Sequence, residues 1–150
     1  MAGSDEVVEE LLATSRALVG VAVRSLAAAP VDITVAQQRV LMLLAAQGPQ
    51  SVGRIAEQLG VNPSNASRHC DRLQRLGLLG RSRSAEDGRV VRIALTAEGR
   101  ELLESVTQHR RDALAGVVRR LPADERAAVL VALRRLNAAN EEVGGAGWIA

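Results

Sequence analysis

The apolar residues of this chain change period at Gly77, and that change restricts its possible folds more than any other feature. Before Gly77 they recur at helical spacing in short successive segments. From Arg89 to Leu95 they alternate, with Val91, Ile93 and Leu95 on one face, and Asp87-Gly88 ahead of them reads as a hairpin turn. Leu78 to Ser84 is the partner strand, and helical spacing resumes after Thr96. The pattern predicts a mainly α fold carrying a small β-hairpin wing.

Capping residues divide the helical part. Ser4 is expected to cap a first helix with Asp5 and Glu6 in its opening turn, apolar residues from Val7 to Leu26, and an end before Pro30. Thr34 and Gln37 form a capping box for a second helix, whose stripe is Val40, Leu41, Leu43 and Leu44. Ser51 caps a third helix closed by Gly60, and Asn62-Pro63 opens a fourth. The tight turn from Leu59 to Asn62 is of the kind that joins the two helices of a helix-turn-helix. Thr96 caps a long helix that is broken at Pro122, and a last helix carries Val129, Leu130, Leu133 and Leu136. Gly144, Gly145 and Gly147 mark a flexible tail from about residue 141. A length of 150 residues fits one domain: a winged helix-turn-helix over 34–95, flanked by helices at 4–29 and 96–140.

Composition narrows the function. Tyr and Phe are absent and Trp148 is the single aromatic residue, so Leu, Val, Ile and Ala must build the core. All 19 basic side chains are Arg. The net charge is only +2, but eight Arg between Ser51 and Arg92 face Glu57, Asp71, Glu86 and Asp87, which concentrates +4 in that segment. A basic centre between mildly acidic ends suits a polyanion-binding module. Cys70 alone cannot form an intrachain disulfide, and with His69 and His109 it does not make a conventional zinc site, so neither metal nor cofactor is expected. Cys70 falls on a packing face and reads as a small core hydrophobe rather than a redox sensor. No apolar run approaches the ~20 residues of a membrane span, and an acidic N-terminus is unlike a signal peptide, so a cytoplasmic protein is expected. No nucleophile, base and orienting group recur at interpretable spacing, which argues against an enzyme.

The fourth helix carries the sharpest signal. At 100° per residue Ser64, Asn65, Ser67, Arg68, Arg72 and Arg75 fall within roughly 160° of one another, while Ala66, Cys70, Leu73 and Gly77 occupy the opposite side. Short hydrogen-bonding groups near the helix N-terminus followed by Arg suit reading in a DNA major groove, where Arg pairs with guanine and Asn with adenine. A basic hairpin bearing Arg81, Arg83, Arg89 and Arg92 follows, with Arg89 near its tip, where it could enter a minor groove. The plainer alternatives are a solvated polar face and a charged edge hairpin. Helix and hairpin together favour DNA. A winged-helix adaptor that binds a protein partner without sequence-specific DNA binding is the competing reading.

These residues resemble the multiple-antibiotic-resistance regulator (MarR) family. The stretch from Ile55 to Arg68 is similar to its helix-turn-helix, and Asp71-Arg72-Leu73 and Gly77-Leu78-Leu79 continue the pattern. Arg81, Asp87-Gly88-Arg89 and Leu95-Thr96-Ala97-Glu98-Gly99 follow the family's wing and its exit. The resemblance implies minor-groove contact by Arg89, bracing of the wing by Asp87, and approach to the major groove by Ser64, Asn65, Ser67, Arg68 and Arg72. It further implies a homodimer made by the first and last two helices, an inverted-repeat operator on double-stranded DNA with half-sites about 10 base pairs apart, and a repressor released by a small-molecule effector or stress signal.

Overall fold

A computed structural model describes the backbone of residues 3–142 and the side chains of 3–140. In chain order the elements are α1 (Ser4–Ala27), α2 (Val35–Gln47), α3 (Val52–Leu59), α4 (Pro63–Arg75), β1 (Leu79–Arg83), β2 (Val91–Leu95), α5 (Ala97–Val118) and α6 (Ala123–Glu142). The tail expected from residue 141 lies outside the described residues, except that 141 and 142 still belong to α6.

Most helix starts follow from their caps. Thr34 accepts from Gln37 N while the Gln37 side chain accepts from Thr34 N, the reciprocal capping box. Ser51, Asn62 and Thr96 each accept from the backbone N–H three residues on. α1 differs from expectation: Gly3 is its N-cap and Ser4 is already helical, so the Ser4 hydroxyl makes no cap bond. The charges of Asp5 and Glu6 at the positive end of the helix dipole remain. At the other end α1 stops at Ala27, shortly before Pro30, which disfavours helical conformation in the residue ahead of it.

The ends of α3 and α4 are fixed by left-handed glycines. Gly60 (φ 66°) and Gly77 (φ 75°) each sit just past a helix, in a conformation that a Cβ disfavours. Both close Schellman turns: Val61 N donates to Ala56 O, and Leu78 N to Leu73 O. The first turn sets α4 against α3, and the second redirects the chain from α4 into β1.

The core lies where these elements meet. Val40, Leu41 and Leu43 of α2, Ile55 of α3, Ala66 and Leu73 of α4, Ile93 of β2 and Val106 of α5 are all fully or almost fully buried. Leu26 of α1 and Leu78 at the base of the hairpin complete it. The hairpin pairs antiparallel from Leu79 with Leu95 to Arg83 with Val91. Gln50 adds a one-residue third strand, with bonds of 3.0 and 2.7 Å exchanged with Ile93. Alternation along β2 governs burial only near the body: Ile93 is buried and Leu95 half-buried, whereas Val91 has run out beyond the core and is exposed.

Two regions keep apolar side chains in solvent. Val7, Val8, Leu11, Leu12, Leu18, Val19 and Val23 line α1, and Val117 and Val118 end α5. Along α6, Val129, Leu130, Leu133 and Leu136 are 39–50% exposed, and no described residue of that helix is buried. The single chain therefore leaves uncovered the stripes that its sequence shapes for packing.

Candidate nucleic-acid interface

Burial on α4 follows the sequence wheel except at Gly77, which lies past the end of the helix and is exposed. Ala66, Cys70 and Leu73 are buried against the core. On the other side Ser64, Arg68, Arg72 and Arg75 are exposed, and Asn65 and Ser67 are half-buried. Desolvation pushes the Cys70 thiol up to about 11, although the Arg81 charge pulls it the other way.

The first turn of α4 is organised by its own cap. Asn62 Oδ1 accepts from Asn65 N at 2.8 Å and from the Ser64 hydroxyl at 2.7 Å. Asn65 Oδ1 in turn accepts from Arg68. Ser64 thus presents lone pairs outward, Asn65 its amide N–H groups, and Arg68 its remaining donors. The side chains of Arg72 and Arg75 form no hydrogen bond or ion pair among the described residues.

The hairpin is tied to this helix and stiffened at its tip. Arg81 of β1 bonds the Asp71 carboxylate on α4, which ties the strand to the helix. Arg83 donates to Gly88 O at 3.3 Å across the turn. Asp87 Oδ1 accepts from Arg89 N at 3.0 Å, and the Ser84 hydroxyl accepts from Glu86 N and Asp87 N. These bonds hold the backbone on either side of Arg89. The Arg89 side chain is exposed and makes no hydrogen bond or ion pair among the described residues.

A second joint links this unit to α5. Thr96 N donates to Leu78 O at 3.1 Å and the Thr96 hydroxyl to Gly77 O at 2.7 Å, while the same hydroxyl oxygen accepts from Gly99 N at 3.1 Å. One side chain therefore caps α5 and grips the turn that ends α4. Sequence reasoning found the cap but not the grip, nor the Asp71–Arg81 tie, because neither partner is local. Between α2 and α5 lies an open groove of about 640 Å³, bordered by Met42, Ala45, Ala46 and Leu103, by the cations Arg100 and Arg111, and by Glu104. Among the described residues no aromatic side chain lines it.

A helix with a basic, donor-rich outer face stands beside a hairpin whose tip carries an exposed Arg, side-chain chemistry suited to a polyanion. Among the described residues no helix is long and apolar enough to cross a membrane, and no cluster of His, Cys, Asp and Glu could hold a metal.

Comparison with known proteins agrees. Residues 33–91 match the MarR family. The chain is 34% identical over 110 residues to the helix-turn-helix-type transcriptional regulator YfiV of Bacillus subtilis, covering 73% of this chain and 69% of that one. It is 36% identical over 83 residues to the transcriptional repressor MdtR of the same organism, covering 55% and 54%. The crystal structure of RV1404 from Mycobacterium tuberculosis superposes with a TM-score of 0.85 at 34% identity, over 93% of this chain and 95% of that one. With the reading helix, the wing and these likenesses in agreement, the chain belongs to the MarR family of winged helix-turn-helix, DNA-binding transcriptional regulators.

Proposed function

We propose that this regulator is a cytoplasmic homodimeric repressor that reads an inverted-repeat operator and is released by a small-molecule effector. The observation that carries the reading is the coexistence of one free basic face with uncovered apolar stripes. On α1, on α6 and at the end of α5, exposed Val and Leu recur at helical spacing, as a second copy of the chain would require. The division of labour is a reading unit over 34–95 and dimerisation helices at 4–29 and 96–140. MdtR, to which the chain is 36% identical over 83 residues, is a transcriptional repressor.

In this reading Ser64, Asn65, Ser67, Arg68 and Arg72 approach base edges in the major groove, and Arg75 a phosphate. Arg89 enters the minor groove and Asp87 braces the wing. Arg81 and Arg83 spend one N–H each on internal bonds and keep others for phosphates. The α2–α5 groove suits an apolar effector of modest size, with Arg100 and Arg111 able to take an anionic group.

In-vitro selection from genomic fragments tests the proposal, followed by footprinting. Enrichment of an inverted repeat, protected symmetrically by a dimer, is expected. Failure to enrich any inverted repeat would favour the adaptor reading.

A further inference from the structure

Among the described residues, one side chain ties the start of α6 back to the end of α5. No described residue of α6 is buried, so packing against the rest of its own chain does not set its direction. The connection from α5 runs through Arg119 to Pro122, and α5 ends with carbonyl groups that its own helix cannot satisfy. Arg126, in the opening turns of α6, reaches back to one of them, Val118 O, which Leu121 N also engages, and to two carbonyls of the connection, those of Arg119 and Leu121. Its Nε donates to Val118 O at 3.2 Å and to Leu121 O at 3.0 Å, and its Nη2 donates to Arg119 O at 3.1 Å.

A cation in the opening turns of α6 is disfavoured by the dipole of that helix, whereas the same cation over the C-terminal end of α5 is favoured. Asp124 and Glu125 beside it have the opposite preference and stand in the first turn of α6 without an ion pair to Arg126. The guanidinium thus bridges the negative end of one helix and the start of the next. Its planar fork holds a fixed angle, which a Lys ammonium cannot do in the same way.

We infer that Arg126 is the positioning residue of the regulator: it pins the α5–α6 elbow and so sets the distance between the two reading helices. The inference rests on the dimer reading above. α5 leads back through Thr96 to the end of α4, and α6 carries the stripe of Val129, Leu130, Leu133 and Leu136 that faces the second copy. Rotation at the elbow would then change the separation of the two α4 helices, and with it the operator spacing that both can reach at once.

The test uses the full chain as wild type, Arg126→Ala and Arg126→Lys. Each is titrated against single half-sites and against inverted repeats whose spacer varies base pair by base pair, with dimerisation followed by sedimentation. Wild type should prefer one spacing by at least tenfold. Both variants should bind a half-site within twofold of wild type yet lose most of that preference, Ala more than Lys. A variant that keeps the wild-type spacing preference overturns the inference, as does one that weakens equally at every spacing, which marks a merely structural role. A wild type that stays monomeric on DNA overturns the dimer reading and the inference with it.

Discussion

Replacing Gly99 by Ala should destabilise the protein although Gly99 is helical and Ala is the better helix former. A Cβ at Gly99 would stand 2.2 Å from Leu78 O, 2.8 Å from Leu95 Cδ1 and 3.1 Å from Leu78 C. The Leu95 methyl can rotate away, but Leu78 O is backbone and is already held by Thr96 N. Relief requires α5 to retreat by about 1 Å, which strains the bonds from Thr96 to Leu78 O and Gly77 O. Overpacking costs roughly 1–3 kcal/mol, and weakening those bonds adds about 1–2 kcal/mol. The propensity gain of Ala over Gly returns at most about 1 kcal/mol. The net loss is about 1–4 kcal/mol, or a fall in Tm of roughly 2–16 °C for a chain of this size. Gly53 of α3 supplies the control, since a Cβ there meets nothing within 4 Å. Gly53→Ala should raise stability by about 0.5–1 kcal/mol. Chemical denaturation of both variants, at one protein concentration because association shifts the midpoint, separates the terms. A Gly99→Ala protein as stable as wild type would refute the close approach of α5 to Leu78.

Thr96→Val removes both the α5 cap and the donor to Gly77 O, and should lower the unfolding free energy by about 1–2 kcal/mol in the same assay. Cys70 should resist a thiol reagent at pH 8 until denaturant is added, because burial raises its thiol to about 11; rapid labelling of the folded protein would contradict its place in the core. The same shift predicts a pH effect. Between the ordinary value of 9.0 and about 11 the folded state holds the proton that the unfolded chain releases, so stability should fall as pH rises through that window. With no Lys and no Tyr in the sequence, this stretch of the titration is nearly free of other side chains, and Cys70→Ala should flatten it. Arg89→Ala should weaken binding to every DNA sequence and lower the salt slope by about one per protomer, whereas Asn65→Ala should also relax sequence preference in competition titrations.

What could be read from the sequence had local causes. Caps at Thr34, Ser51, Asn62 and Thr96 bond N–H groups three residues away, and the two faces of α4 follow from helix geometry alone. Their residues carry the signal within one turn. The bonds that make a reading unit out of these pieces span longer stretches: Asp71 to Arg81, ten apart, and Gly77 to Thr96, nineteen apart. Nothing nearby in the chain announces such a partner. Gly99 is similar, since its need comes from a backbone brought close by folding rather than from its own torsion angles. Ser4 shows the opposite error: a good capping residue was available, but the helix began one residue earlier and Gly3 took the position. The Arg126 elbow did leave a trace, a cation in the opening turns of a helix that follows a proline.

The central claim, that α4 and the wing of two protomers together hold one operator, is tested most directly by the salt dependence of binding to a selected inverted repeat. Arg75, Arg81, Arg83 and Arg89 of each protomer are exposed. If three or four of them per protomer neutralise phosphates, the slope of log K against log salt should be about −5 to −7, with a symmetric footprint. A slope near zero, or a footprint covering a single half-site, would contradict the account.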